Sequence, residues 1–212
     1  MKRKKSYKKE RKEAARFMRR LYSQGLTTTS GGNISMKISD DIIIITPSAT
    51  DKGTMRWKEV GIMNIKGENL TPGLKPSIEH EMHLSIYRKN KDVKAIVHAH
   101  PVFASAYTAM KCKIYTNLTA EARAICGDPL FVPYATMGTK ELASLAAQSA
   151  TKSDVLLLEN HGILTTGQGL LQAFDKIEVL ENAAKMTLIV EMTKKKSPLS
   201  KLRISEIDRL FR

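Results

Sequence analysis

Two short apolar runs, in "DVKAIVHAHP" (Asp92–Pro101) and "DVLLLENHG" (Asp154–Gly162), each read as a buried strand that ends in histidine. Strands of that kind need partners beside them and a cover on their faces, and the chain supplies both in alternation. A strand is expected over Ile34–Ile38, a turn at Ser39–Asp41 and a strand at the four isoleucines Ile42–Ile45. "VGIMNIKGENLTPG" reads as another hairpin turning at Lys66–Asn69, "PLFVPY" as a short strand and "GILTTG" as a strand after His161-Gly162. Helical spacing predicts helices in "YKKERKEAARFMRRLYSQG", in "KPSIEHEMHLSIYRKN" from its Pro-Ser start, in "PVFASAYTAM", in "TKELASLAAQSA" and in "LLQAFDKIEVLENAAKMTLIVEM". With hairpins among them, these elements give a single α/β domain whose central sheet is mainly antiparallel and flanked by helices.

The chain has 212 residues and a formal net charge of +14, which points to a nucleic-acid binder until the charge is located. Residues 1–20 hold eleven Lys/Arg against two acids, and residues 193–212 hold seven against two. The remaining body balances, so it is no electrostatic glove for phosphates. The division expected is a basic N-terminal tail and start of the first amphipathic helix over 1–20, a catalytic domain over 21–192 and a basic C-terminal tail over 193–212. Nucleic-acid binding is disfavoured but left open for the two ends, and no membrane partner is expected; the first helix could bind RNA or an anionic surface, but the plainer reading docks it on the core with its cations in water. No apolar stretch approaches the ~20 residues that span a bilayer, and no secretory signal is recognised. Cys112 and Cys126 are too far apart for a Cys-x-x-Cys motif and read as reduced thiols, so a cytoplasmic location is expected.

The histidines carry the chemistry. Residues i and i+2 of a strand face one side with Cα atoms roughly 6.5–7 Å apart. His98 and His100 can therefore converge on one ion, or be two ordinary strand-end histidines. His161 ends the second strand, followed by a glycine that permits close approach. Three imidazoles and an open position describe a catalytic zinc-type site better than a closed structural one. On the "IEHEMH" helix, Glu79 and His83 share a face while His80 and Glu81 point elsewhere. Glu79 reads as fourth ligand, as general base, or as a solvated helix residue.

"TTTSGGNIS", "TPSAT" and "KPS" gather glycines and hydroxyls. Each alone reads as a turn or cap, but together they suggest a phosphate pocket. Neither a Walker lysine-serine motif nor a G-x-G-x-x-G turn opening a helix is present, which disfavours nucleotide folds.

"SGGNIS", "ITPSATDKG", "KPSIEHEMHLSIY", "VHAHP", "PYATMGTKEL" and "ENHG" stand in the order and spacing of the class II aldolase/adducin family, and the chain resembles its L-fuculose-1-phosphate aldolase-like members most. The resemblance runs from about Leu21 to Met192. It implies one divalent metal per subunit, zinc by expectation, on His98, His100 and His161, with Glu79 in the metal's neighbourhood as base. It places the substrate phosphate on Gly32, Asn33, Ser48 and Ser77, with Ala49 and Ser30 beside them. It implies a homotetramer with active sites completed across subunit interfaces. The implied reaction is reversible aldol cleavage of a short sugar phosphate to dihydroxyacetone phosphate and an aldehyde, through a metal-stabilised enediolate. A pentulose-phosphate 4-epimerase and a methylthioribulose-phosphate dehydratase of the same family use similar ligands, and an adducin-like binding module is the non-enzyme alternative. Ser77-Ile78 stands where such aldolases carry two serines. The tyrosine that protonates the aldehyde from a neighbouring subunit has no assigned counterpart, Tyr115 being nearest.

Overall fold

A computed structural model, describing residues 6–211, joins seven strands into one sheet. They are β1 (Asn33–Lys37), β2 (Ile42–Ile45), β3 (Gly61–Asn64), β4 (Ala95–Ala99), β5 (Leu130–Val132), β6 (Val155–Leu158) and β7 (Gly162–Gly167). Across the sheet the order is β3-β2-β1-β4-β7-β6-β5, and every pair is antiparallel except β5–β6. The helices are α1 (Lys8–Ser23), α2 (His80–Lys89), α3 (Val102–Met110), α4 (Ala120–Cys126), α5 (Lys140–Ser149), α6 (Leu170–Thr193) and α7 (Lys201–Phe211). This is the single α/β domain with a mainly antiparallel sheet that the sequence predicts.

The period of two along each strand decides which helix layer a residue meets. Ile43 and Ile45 of β2 pack with Met82, Leu84 and Tyr87 of α2 and with Leu142 of α5. Ile44 faces the opposite layer with Phe17 of α1 and Phe174 of α6. A strand buried on both faces can therefore be isoleucine throughout. The same alternation in β4 sends Ala95, Val97 and Ala99 to the α6 side and Ile96 to the α2 side. In β1, Ile34 goes with the α6 layer, which leaves Asn33 and Ser35 facing α2. Asn33 is the cross-strand partner of His98, so two polar side chains meet at one end of adjacent strands beneath α2.

The expected boundary at residue 20 falls inside α1, which runs unbroken to Ser23. Ala14, Ala15, Phe17, Met18 and Leu21 are buried, as the plainer reading of this helix requires. Some of its cations serve the fold: Arg11 donates from Nε to Val60 O at 2.8 Å, and Arg19 to Met55 O at 2.5 Å. Residues 1–5 of the expected tail lie outside the described residues. The C-terminal segment is more than a tail, because α7 docks on α4, where Arg123 clasps Asp208 with bonds of 2.7 and 2.5 Å. Sequence periodicity assigns neither α4 nor α7; both are short and held by tertiary contacts.

Two other expectations shift at their edges. The second arm of the Lys66–Asn69 hairpin shrinks to a single bridge between Met63 and Asn69, because the Asn69 side chain bends the chain by accepting from Thr71 N and donating to Leu74 O. Helix α2 begins at His80, three residues after the expected Ser77 start, with Glu79 as its N-cap residue. No described helix is long and apolar enough to cross a membrane. Cys112 is exposed, Cys126 is buried, and the two form no disulfide.

Candidate active site

The site forms where β1, β4, the β6–β7 turn and the start of α2 meet. His98 is fully buried at the end of β4 and its Nδ1 donates to Ile163 O at 2.9 Å. A carbonyl only accepts, so the proton is on Nδ1 and the Nε2 lone pair faces the site. His100 follows the strand and brings its Nε2 to 3.1 Å from that of His98. His161 arrives from the turn between β6 and β7, aimed by Asn160 in the left-handed region at φ +52°. The donor atoms of the three histidines all lie within 4.8 Å of one another. Glu79 closes the group, with Oε2 3.4 Å from His98 Nε2 and Oε1 3.2 Å from His161 Nε2.

Two glycines let the histidines come this close. Gly32 has φ +67°, and a Cβ there would sit 2.8 Å from His98 O. At Gly162 a Cβ would lie 2.5 Å from His100 Cδ2 and 2.7 Å from Ala99 O.

Burial, and then the neighbouring imidazoles, push His98 and His100 down to about 3, so both stay neutral with lone pairs available. Glu79 Oε1 is buried and has no hydrogen-bond partner among the described residues. A buried carboxylate oxygen without a hydrogen-bond partner, beside converging imidazole nitrogens, is a donor set that suits a cation. Two ligands of a tetrahedral ion with bonds of ~2.0–2.1 Å lie about 3.3–3.4 Å apart. The separations of 3.1, 3.2 and 3.4 Å here match that spacing, so the residues fit a divalent metal.

A cleft of about 400 Å³ opens over this cluster. Ser30, Gly31, Gly32, Ser48, Ala49 and Ser77 line it together with Glu79, His100 and His161. The two serine loops are pinned together, with Ser48 N donating to Lys75 O at 3.1 Å and Pro47 bridging Pro76. Ala49 stands in the left-handed region at φ +50°.

Residues 12–188 match the family described as Class II Aldolase and Adducin N-terminal domain. The chain belongs to the class II aldolase and adducin family. An L-fuculose phosphate aldolase of Methanocaldococcus jannaschii is 34% identical over 186 residues, covering 88% of this chain and 99% of that protein. A 3-oxo-tetronate 4-phosphate decarboxylase of Haemophilus influenzae is 32% identical over 172 residues, 79% of this chain and 81% of that one. Among solved structures, an L-fuculose 1-phosphate aldolase superposes with a TM-score of 0.87 at 30% identity, covering 95% of each chain. This class II aldolase-family enzyme thus shares both sequence and fold with sugar-phosphate aldolases, a family that uses a divalent metal.

Within this class II aldolase fold, the residues expected from sequence come together at one site. Asn33 also lines the cleft, but its side chain turns to the carboxylate: Nδ2 donates to Glu79 Oε2 at 2.8 Å, and Oδ1 lies 2.5 Å from His83 Nε2. Ser77 Oγ accepts from Glu79 N at 3.2 Å, which stops α2 from starting earlier and fixes the carboxylate's backbone. Tyr115 does not line the cleft and packs under the Lys196 ammonium.

Lys52 is the residue that sequence reasoning missed. It is 1% exposed, lines the cleft, and its Nζ donates to Pro47 O at 2.6 Å. Its ammonium has no carboxylate within 4 Å among the described residues, and burial lowers it to about 8, partly opposed by Glu59. Its only signal in sequence was a cation inside the "TPSATDKG" loop.

Proposed function

We propose that the enzyme catalyses reversible aldol cleavage of a short ketose phosphate, L-fuculose-1-phosphate-like, to dihydroxyacetone phosphate and an aldehyde. The observation that carries this reading is the orphaned Glu79 Oε1, set among three convergent imidazoles beside a cleft lined by glycine- and serine-bearing loops. When bound to His98, His100 and His161, a divalent ion, zinc by the nitrogen-rich donor set, supplies Lewis-acid polarisation of the ketone. In the condensation direction, Glu79 Oε1 removes a proton from the hydroxymethyl carbon of dihydroxyacetone phosphate. That carbon's electron pair then forms the bond to the aldehyde carbon, the aldehyde oxygen takes a proton from solvent, and Glu79 releases the proton it holds to solvent. Cleavage runs the same steps backwards, with Glu79 returning the proton to carbon.

Ser48 and Ser77 hydroxyls, backbone N–H groups of the Gly31–Gly32 and Ala49 turns, and the Lys52 ammonium hold the phosphate. This grip lies away from the reacting carbons, so its binding energy orients them. A homotetramer is part of the reading, supported by Leu188, Ile189 and Met192 along α6, large apolar side chains left in water by one chain.

A second reading is decarboxylation of a 3-oxo-4-phosphorylated acid, favoured by the likeness to the Haemophilus protein. It needs the same ion and phosphate grip but breaks the bond to a carboxylate. The deciding experiment supplies zinc and incubates the protein with dihydroxyacetone phosphate and a panel of short aldehydes, and separately with 3-oxo-tetronate 4-phosphate. Condensation products with slow carbon dioxide release support the aldolase. Carbon dioxide release with no condensation overturns it. Metal content that His98→Ala leaves unchanged would remove the metal site itself.

A further inference from the structure

Beside Glu79, four further buried side chains stand in one continuous line that starts from Asn33 at the cleft and runs between β1 and α2. Asn33 Nδ2 lies 2.8 Å from Glu79 Oε2, and His83 Nε2 lies 2.5 Å from Asn33 Oδ1. Ser35 Oγ lies 2.7 Å from His83 Nδ1 and 2.8 Å from the Tyr87 hydroxyl. Ser35, His83 and Tyr87 are fully buried, and Asn33 is 3% exposed.

We propose that Tyr87, Ser35, His83 and Asn33 form a one-way chain of donors that positions Glu79, with His83 as the residue that relays its direction. The proposal rests on the role given to Glu79 above. An ionised carboxylate only accepts, so Asn33 must present its NH₂ to Glu79 and its oxygen to His83. That oxygen also only accepts, so His83 carries its proton on Nε2. Burial pushes His83 down to about 3, with His98 adding to the effect, so Nδ1 is bare. Ser35 must then donate to Nδ1 and accept from Tyr87, whose phenol burial holds in the protonated form. Every proton in the line points toward Glu79, and neighbours in such a chain polarise one another.

The consequence is a division of labour between two chemically equal oxygens. The chain engages Oε2 and leaves Oε1 unpartnered beside His161. Were the proton of His83 on Nδ1, the Asn33 amide would flip and set its oxygen against Oε2, two acceptors at hydrogen-bond distance. His83 and Asn33 are thus positioning residues that select the oxygen which works. None of the four outer members is itself a metal ligand or a base.

The first test needs no turnover. In metal-free protein labelled with [¹⁵N]histidine, and with His83→Gln to assign the signals, side-chain NMR is expected to show His83 protonated at Nε2 and bare at Nδ1. A proton at Nδ1 overturns the proposal. The second test follows exchange of the carbon-bound hydrogen of dihydroxyacetone phosphate. His83→Phe keeps the ring but neither donates nor accepts, and is expected to lower kcat about 10–100-fold with KM within about threefold. His83→Gln, able to donate to Asn33 and accept from Ser35, is expected to recover most of that loss. A fall carried by KM alone, or wild-type kcat in the Phe variant, overturns the proposal. Should the Phe variant not fold, Ser35→Ala is expected to give a smaller fall with the same split, and an unchanged kcat counts against the chain. If the wild-type protein exchanges no hydrogen, the aldolase reading falls, and the tautomer of His83 alone then decides this proposal.

Discussion

Gly162 and His100 are in contact so close that one added methyl at Gly162 would sit 2.5 Å from the imidazole Cδ2. The glycine after His161 therefore serves a different histidine, just past the end of β4. Gly162→Ala is expected to push His100 off its partners and cost about 1–3 kcal/mol of stability from overpacking. Metal affinity should fall about 10–100-fold, as for loss of a residue that orients a ligand. Titration with a competing chelator reads the affinity, and unchanged affinity would place the metal elsewhere.

Lys52 gives a pH signature. Its ammonium titrates at about 8, below the ordinary lysine range. The cation is present below pH 8 and lost above it, so KM for dihydroxyacetone phosphate is expected to rise as pH passes upward through 8. Lys52→Met is expected to raise KM at pH 7 about tenfold or more, from loss of a charge-assisted contact, and to flatten the alkaline rise. An unphosphorylated ketone should show neither effect.

The fully buried His83 makes stability fall in acid. Its pKa when folded, about 3, lies under the unfolded value near 6.5, so below pH 6.5 only the unfolded chain takes up the proton. Stability is therefore greatest above 6.5 and declines toward 3, with a slope of up to about 1.4 kcal/mol per pH unit from this one group. Urea unfolding of the metal-free protein at pH 7.5 and 5.5 measures it. His83→Gln should reduce the difference by that one proton, while the buried His98 keeps part of it.

The expected strands, the antiparallel bias and the three histidines were legible because each rests on local pattern. Four isoleucines in a row, or His-x-His before a proline, leave few alternatives. Glu79 was legible as a residue and not as a position: it stands at the N-cap position of α2, its N–H donating to Ser77 Oγ. Lys52 and the Asn33–His83 pair were not legible, since their burial depends on how loops fold and how α2 settles over β1. Asn33 looks like a loop donor in "SGGNIS", and only the register that sets it opposite His98 turns it to the carboxylate. The last helix was hidden by its charge, which reads as solvated tail.

Asp208 anchors that helix through its paired bonds to Arg123. Asp208→Asn is expected to cost about 1.5–3 kcal/mol at most, the range for hydrogen bonds to charged groups. The loss should be local. Amide exchange is expected to rise across Lys201–Phe211 while β4 and β7 stay protected, which exchange mass spectrometry can resolve.

Because His98 and His161 stand 63 positions apart and Glu79 comes from neither strand, no short fragment holds the whole donor set. The donors exist as a set only after β1, β4 and β7 have paired and α2 has settled over them. An ion that binds this set therefore favours the finished fold over every partly formed one, in proportion to its concentration. Metal supply would then govern how much intact protein a cell retains, apart from how fast each molecule turns over.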